Sequence, residues 1–253
     1  MADSKNIWYN YWRSSVPDIS ENFYNPNDYI WAKDVLLRKD QIARELEVFI
    51  EEKQGKLNSH FYGNELESKQ DWQTQSFKTW DIEVPINLNE CSEIKSFLAA
   101  HPMVISASVN ILKANSKIKV HRGDTNAIFR CHLGLVIPSE IPECGFSVGD
   151  EHRSWKTGEL LIFNDASEHY AWNNTDKDRI IFLFDVIIDD YLNDKKFISI
   201  NVRSFLLLQY LSTKFSIVKK MPKFVHRFIH FCIKVFLHTI YSYQKKKGVI
   251  LEH

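Results

Sequence analysis

Apolar residues change their spacing twice along this chain. Residues 1 to about 30 are rich in Asn, Ser, Pro and Tyr and show little periodicity. Over residues 31–52, Trp31, Val35, Leu36, Ile42, Leu46 and Ile50 recur at helical spacing, which predicts one amphipathic helix. From Ser76 onward the texture changes to short apolar runs separated by turn-forming residues. The runs 79–84, 104–112, 127–137, 143–148, 159–163 and 180–188 read as strands bounded by Gly, Pro, Asn or Asp. Several short strands in succession predict a mainly β fold, a barrel or jelly roll. Between Asp189 and Lys247 the pattern reverts to helix, at 202–211 and 223–243. The expected organisation is an N-terminal helical or irregular segment over 1–75, a β core over 76–190, a helical extension over 191–250 and a purification-tag remnant at 251–253.

Composition narrows the classes. A chain of 253 residues can bury a sizeable core, and 44% hydrophobic with 25% charged residues argues against disorder over most of its length. Thirty-two basic residues balance thirty-two acidic ones, so no global field favours nucleic acid. Cys91, Cys131, Cys144 and Cys232 form no CxxC pair, which argues against a zinc ribbon or a disulfide scaffold and suits a reducing compartment. The first ten residues lack a continuous apolar stretch of the secretory kind, so the expected location is the cytoplasm.

Two of the ten histidines are placed where chemistry could use them. His121 follows the alternating stretch Ile118-Lys119-Val120 and precedes the turn Arg122-Gly123-Asp124-Thr125-Asn126. His169 comes after the strand 160–163 and the loop Asn164-Asp165-Ala166-Ser167-Glu168. Both therefore sit at strand ends, and a barrel would bring them together. Neutral imidazoles suit iron, and open coordination positions for oxidant and cosubstrate are the pattern of the two-histidine, one-carboxylate oxygenases. The alternative is two unrelated rim histidines.

The run from His121 through Arg122, Gly123, Arg130 and His132 to Pro138 resembles the signature of the aspartyl/asparaginyl β-hydroxylase family. A second block, Trp155 to Trp172 followed by Arg179 to Val186, is similar to that family's second-histidine region. The likeness is strong from about Val104 to Val186, faint from Trp31 to Trp80 and absent beyond Tyr191. It implies a cupin-like double-stranded β-helix with flanking helices, and Fe(II) and 2-oxoglutarate as cofactors. It further implies hydroxylation of an unactivated carbon, with release of succinate and CO2. By the same resemblance, His121 and His169 hold the iron and Arg179 grips the distal carboxylate of 2-oxoglutarate. A planar guanidinium suits that carboxylate because it can donate two parallel hydrogen bonds. Asn110 stands where the family commonly has a serine near the same carboxylate, and Arg130 and His132 serve beside cosubstrate and substrate. Strand alternation points Arg130 and His132 to one face.

One carboxylate is missing. Many related oxygenases have His-x-Asp at the first ligand, whereas here the third place is Gly123 and the acid comes one residue later, at Asp124. A one-residue shift reverses side-chain direction on a strand, so a two-histidine site is expected, completed by water or another small ligand. A glycine there also leaves halogenation open. Asp165 and Glu168 could orient His169, or be solvated loop acids. Asn126 should brace the turn after His121, and Trp155, Phe163 and Trp172 either wall the pocket or pack the core.

The substrate is open between small-molecule or amino-acid, peptide and lipid-linked targets. Ile128 stands where the family's aspartyl hydroxylases carry a further basic residue, which weakens the case for an acidic side chain. Residues 219–247 carry too many charges for a spanning helix. Their Lys, Arg and Phe would suit an interfacial helix on an anionic membrane, and packing on the barrel or in a homodimer is the alternative. A lipid acyl-chain hydroxylase at the membrane surface and a non-catalytic iron- or 2-oxoglutarate-binding module complete the alternatives.

Overall fold

A computed structural model of the chain describes residues 7–12, 15, 19–53, 57–59 and 72–248. The expected tag remnant and part of the irregular N-terminal stretch lie outside the described residues. The strands are β1 (Asn58–Ser59), β2 (Trp72–Thr79), β3 (Ile82–Glu83), β4 (Val104–Leu112), β5 (Ser116–His121), β6 (Ile128–Val136), β7 (Cys144–Val148), β8 (Glu151–Arg153), β9 (Leu160–Asn164), β10 (His169–Asn173) and β11 (Arg179–Ile187). The helices are α1 (Ile30–Leu37), α2 (Lys39–Glu52), α3 (Pro85–Leu88), α4 (Ser92–Ala100), α5 (Lys195–Lys214), α6 (Ser216–Lys219) and α7 (Lys223–Lys247).

All strand pairs are antiparallel and fall into two sheets. The larger has the order β1-β2-β4-β11-β6-β9, with β3 hairpinned onto β2, and the smaller has the order β5-β10-β7-β8. From β4 onward, consecutive strands repeatedly cross from one sheet to the other, and sequence-distant strands pair. This is the double-stranded β-helix. Alternation then sorts the side chains of the larger sheet. On β11, Phe182, Phe184 and Val186 join Phe97 of α4 and Ile42 and Leu46 of α2 in the core outside the sandwich. Their neighbours Arg179, Ile181 and Leu183 turn inward, toward the smaller sheet. The inner core, with Phe146, Trp155, Phe163 and Leu112, fills the space between the sheets.

Two expectations change. The apolar periodicity over 31–52 belongs to two helices, because Arg38 breaks the path between α1 and α2, its guanidinium bound to Asp34 and Glu93. The run 79–84 is a hairpin and not a strand: Trp80 and Asp81 both take left-handed backbone conformations, with φ of 42° and 68°, and join β2 to β3. Two positive φ values in sequence make the tight turn that suits a hairpin's twist, although Trp is a poor residue for it.

Tertiary contacts repay that strain. The Asp81 carboxyl is buried and lies 3.7 Å from Lys78, 2.7 Å from Lys195 and 2.9 Å from Lys245, and it accepts a hydrogen bond from the Tyr241 hydroxyl. One carboxylate thus ties the hairpin to both long C-terminal helices. Burial pulls the Lys78 ammonium down to about 8 even with Asp81 beside it. Removing one partner of a buried ion pair strands the other charge, so Asp81→Ala is expected to cost on the order of 3 kcal/mol. Urea unfolding followed by circular dichroism measures this, and a change below about 0.5 kcal/mol, the scale of ordinary surface substitutions, would remove the latch from the account.

Candidate active site

His121 closes β5 and His169 opens β10, and the antiparallel register sets these two residues directly opposite each other. A β-bulge between His169 and Ala171 interrupts the ladder beside them, a device that re-aims side chains next to sites. The ring centroids stand 4.2 Å apart, with the planes at 60°. In both rings Nδ1 lies 2.8 Å from the backbone carbonyl two residues earlier, Lys119 for His121 and Ser167 for His169. Both imidazoles are held neutral: burial brings His121 down to about 4, and burial together with His121 and nearby Arg130 puts His169 well below its ordinary value.

The cavity beside them is lined by side chains from both sheets, among them Asn110, His132, Trp155, Arg179 and Ile181. Arg179 is 2% exposed, its Nε has no hydrogen-bond partner, and it forms no ion pair among the described residues. What it does have is the face of Trp155, 4.5 Å from the guanidinium carbon. Burial lowers its pKa to about 10. Trp155 Nε1 donates to His132 Nδ1 at 3.3 Å, so neutral His132 carries its proton on Nε2. Burial, with Arg179 and Arg130 adding to it, keeps that ring uncharged. Asn110 is fixed by Ser108 Oγ at 2.8 Å and by Trp72 Nε1 at 3.2 Å.

Arg130 also lines the cavity, on the same face of β6 as His132. Unlike Arg179 it is already neutralised. Nε and Nη2 donate to the two oxygens of Asp185 at 2.8 and 3.1 Å, and Nη1 lies 2.6 Å from Asp165 Oδ1. Burial opposes its charge, but the two carboxylates outweigh burial and raise its pKa. Burial pushes the Asp165 carboxyl above its usual range, against the pull of Arg130.

Asp165 also explains Gly123. The glycine amide donates to the Asp165 carbonyl at 2.7 Å, and the Asp124 amide donates to Asp165 Oδ2 at 3.0 Å. A Cβ at residue 123 would fall inside the Asp165 carboxyl group. The place an acid at 123 would fill is therefore taken by an acid from the other loop, four residues before His169. Gly123→Ala should force that carboxyl away and cost about 1–3 kcal/mol, as overpacking does. Thermal unfolding checks it, and an unchanged midpoint would contradict the packing described.

The remaining expected residues are dispersed. Asp124 is outside the cavity lining, and its carbonyl accepts from Asn10. Asn126 braces the turn from the N-terminal side, its Oδ1 accepting from the Trp8 amide at 2.8 Å. Glu168 pairs with Arg122 at 2.9 Å on the surface. Phe163 packs the inner core against His169, whereas Trp172 lies outside over Gly145 and donates to the Pro142 carbonyl. Asp185 has no role in the sequence pattern alone, yet its parity with Arg179 along β11 puts a second charge on the same inward face, a signal that it must have a buried partner.

Facing histidines and an unpaired buried arginine inside a double-stranded β-helix define a jelly-roll protein with a cationic cavity between its sheets. Over residues 38–188 the chain matches the family model for aspartyl/asparaginyl beta-hydroxylase, and it belongs to that family. It is 30% identical over 116 residues to an ornithine lipid ester-linked acyl 2-hydroxylase of Rhizobium tropici, covering 46% of this chain and 41% of that one. It is 40% identical over 77 residues to the aspartyl/asparaginyl beta-hydroxylase of Mus musculus, covering 30% of this chain and 10% of that protein. The chain thus spans less than half the length of either relative. Among solved structures, an oxidoreductase of the 2OG-Fe(II) oxygenase family from Burkholderia pseudomallei aligns with 12% identity and a TM-score of 0.40, over 55% of this chain and 76% of that one.

Proposed function

We propose that this protein is an Fe(II)- and 2-oxoglutarate-dependent hydroxylase in which His121 and His169 hold the metal and Arg179 holds the cosubstrate. The observation that carries this reading is the buried, unpaired Arg179 guanidinium. A buried charge without a counter-ion is costly, and a dicarboxylate ligand would supply the missing anion.

The residues present fit both groups. The carbonyls at Nδ1 direct coordination to Nε2 of each ring, and neutral rings are the form that binds a metal. Arg179 offers a planar fork to the distal carboxylate, Trp155 shields that contact from water, and His132 Nε2–H and Asn110 add polar contacts in the same cavity. Arg130, clamped between Asp185 and Asp165, ties β6 to β11 and to the loop that leads into His169. When bound, iron and 2-oxoglutarate supply the oxidising chemistry: with O2 the keto acid becomes succinate and CO2, and one oxygen atom enters a C–H bond of the substrate.

The Asp165 carboxyl occupies the space that Gly123 would otherwise leave open, and a carboxylate there repels an anion such as halide, which favours hydroxylation. The substrate is an amino-acid, peptide or lipid-linked carbon, and the relatives' names span both peptide-type and lipid targets. Incubation of the iron-loaded protein with 2-oxoglutarate, O2 and peptides, free amino acids or lipid extracts tests this reading by mass spectrometry. The expected result is one added oxygen in one substrate class, with succinate in equal amount. Turnover of 2-oxoglutarate absent under every condition would leave a binding module instead.

A further inference from the structure

The C-terminal helices carry a surface that the catalytic reading does not use. α7 packs inward through His230, Leu237, Tyr241 and Gln244, against α5 and the β3 hairpin. Its outer face presents Phe224, Phe228, Phe231 and Val235 at i, i+4, i+7 and i+11, with exposures of 73%, 64%, 61% and 48%. Four large apolar side chains in one helical row, all open, are unusual for a solvated surface. Beside them runs a second row, Lys223, Arg227, Lys234 and His238, and just before the helix the exposed Ile217 stands next to Lys219 and Lys220.

Charge identifies the occupant. Twelve of the chain's 32 basic residues lie in residues 195–247, and none of its 32 acidic residues do. The overall neutrality therefore conceals a basic helical pair on an acidic remainder. A second copy meeting this face across a two-fold axis would oppose like charges. Among the described residues no helix is long and apolar enough to cross a membrane. An apolar row flanked by Lys and Arg, on a helix whose other face is committed to the protein, fits the plane of a bilayer whose surface is negative.

We propose that α6 and α7 form an in-plane docking surface for an anionic phospholipid bilayer, with the Phe row at the acyl boundary and the lysines at the headgroups. The inner side of these helices is linked to the turn beside the candidate site. Tyr11 stacks on Phe205 of α5 with centroids 3.6 Å apart and meets His230 of α7 at 5.5 Å. The adjoining Asn10 donates from its backbone amide to the Asp124 carbonyl and from its side-chain amide to the Arg122 carbonyl, in the turn after His121. Docking thus holds the barrel and its first histidine at the lipid surface.

Cosedimentation of the full chain with vesicles tests the proposal, using equal parts phosphatidylcholine and phosphatidylglycerol against phosphatidylcholine alone. The chain should pellet with the anionic vesicles, and less so as salt rises. Phe228→Asp and Phe231→Asp should each weaken binding roughly tenfold or more. Lys219→Glu and Lys220→Glu should each weaken it by at least about fivefold. These positions are exposed, and circular dichroism confirms that the variants fold. Absent binding to anionic vesicles, or binding equal in the Phe variants, overturns the proposal, as does a dimer at sedimentation equilibrium that the Phe variants abolish. His169→Ala should bind vesicles like the parent chain, so failed docking and failed hydroxylation are read separately.

Discussion

His169→Ala is expected to abolish iron binding and succinate release while the barrel stays folded. The ring is 3% exposed and stands 4.2 Å from the His121 ring, so its loss leaves one imidazole where two converge. Among the described residues no cluster of three or more His, Cys, Asp or Glu could take the metal over. Loss of a group one shell further out typically costs 10–100-fold in metal affinity, and loss of a ligand itself should exceed about 100-fold. The fold should survive, since the inner core keeps Phe146, Phe163 and Trp155. Metal content after dialysis and succinate assayed in parallel check this; unchanged succinate release with a folded variant would remove His169 from the site.

Arg179 carries the second large effect. Arg179→Gln should raise the 2-oxoglutarate concentration needed for half-maximal turnover by about 30-fold or more, the scale of about 2 kcal/mol or more for truncating a buried charge pair. Arg179→Lys should fall between, because charge persists but the two-pronged geometry is lost. The same variants have an opposite signature without ligand. The guanidinium is buried and unpaired, so Arg179→Gln should leave the ligand-free protein as stable as the parent or more so. Saturating 2-oxoglutarate at about 100 times Kd should stabilise the parent by roughly 2.7 kcal/mol and the variant far less. Equal stabilisation of both would mean that the keto acid binds elsewhere.

Much of this site was legible before any coordinates, because strands impose a parity that sequence displays directly. Ala127 to Ile137 reads as a strand, and Arg130 and His132 then share a face, as they do in the cavity. The run 104–112 matches β4 at both ends. What failed was set by contacts distant in sequence. The 79–84 run has strand composition, but the Asp81 latch to Lys195, Lys245 and Tyr241 bends it into a turn. α4 does not stand out in the sequence although Ile94, Phe97 and Leu98 have helical spacing, since its nine residues sit inside an otherwise β-like stretch. β10 shows in the sequence only as a strand mouth at His169, because its inward positions mix His169, Ala171 and Asn173 and give no apolar alternation. The Arg130–Asp185–Asp165 triad joins three strands or loops, and no spacing rule reveals it.

The central claim is that one metal and one keto acid meet in this cavity. A crystal structure grown without oxygen, with Mn(II) in place of iron and with 2-oxoglutarate, tests it directly. The account predicts metal density touching both His121 and His169, and the distal carboxylate of 2-oxoglutarate on the Arg179 guanidinium. Metal bound away from either histidine, or a keto acid that leaves Arg179 without a partner, would contradict it.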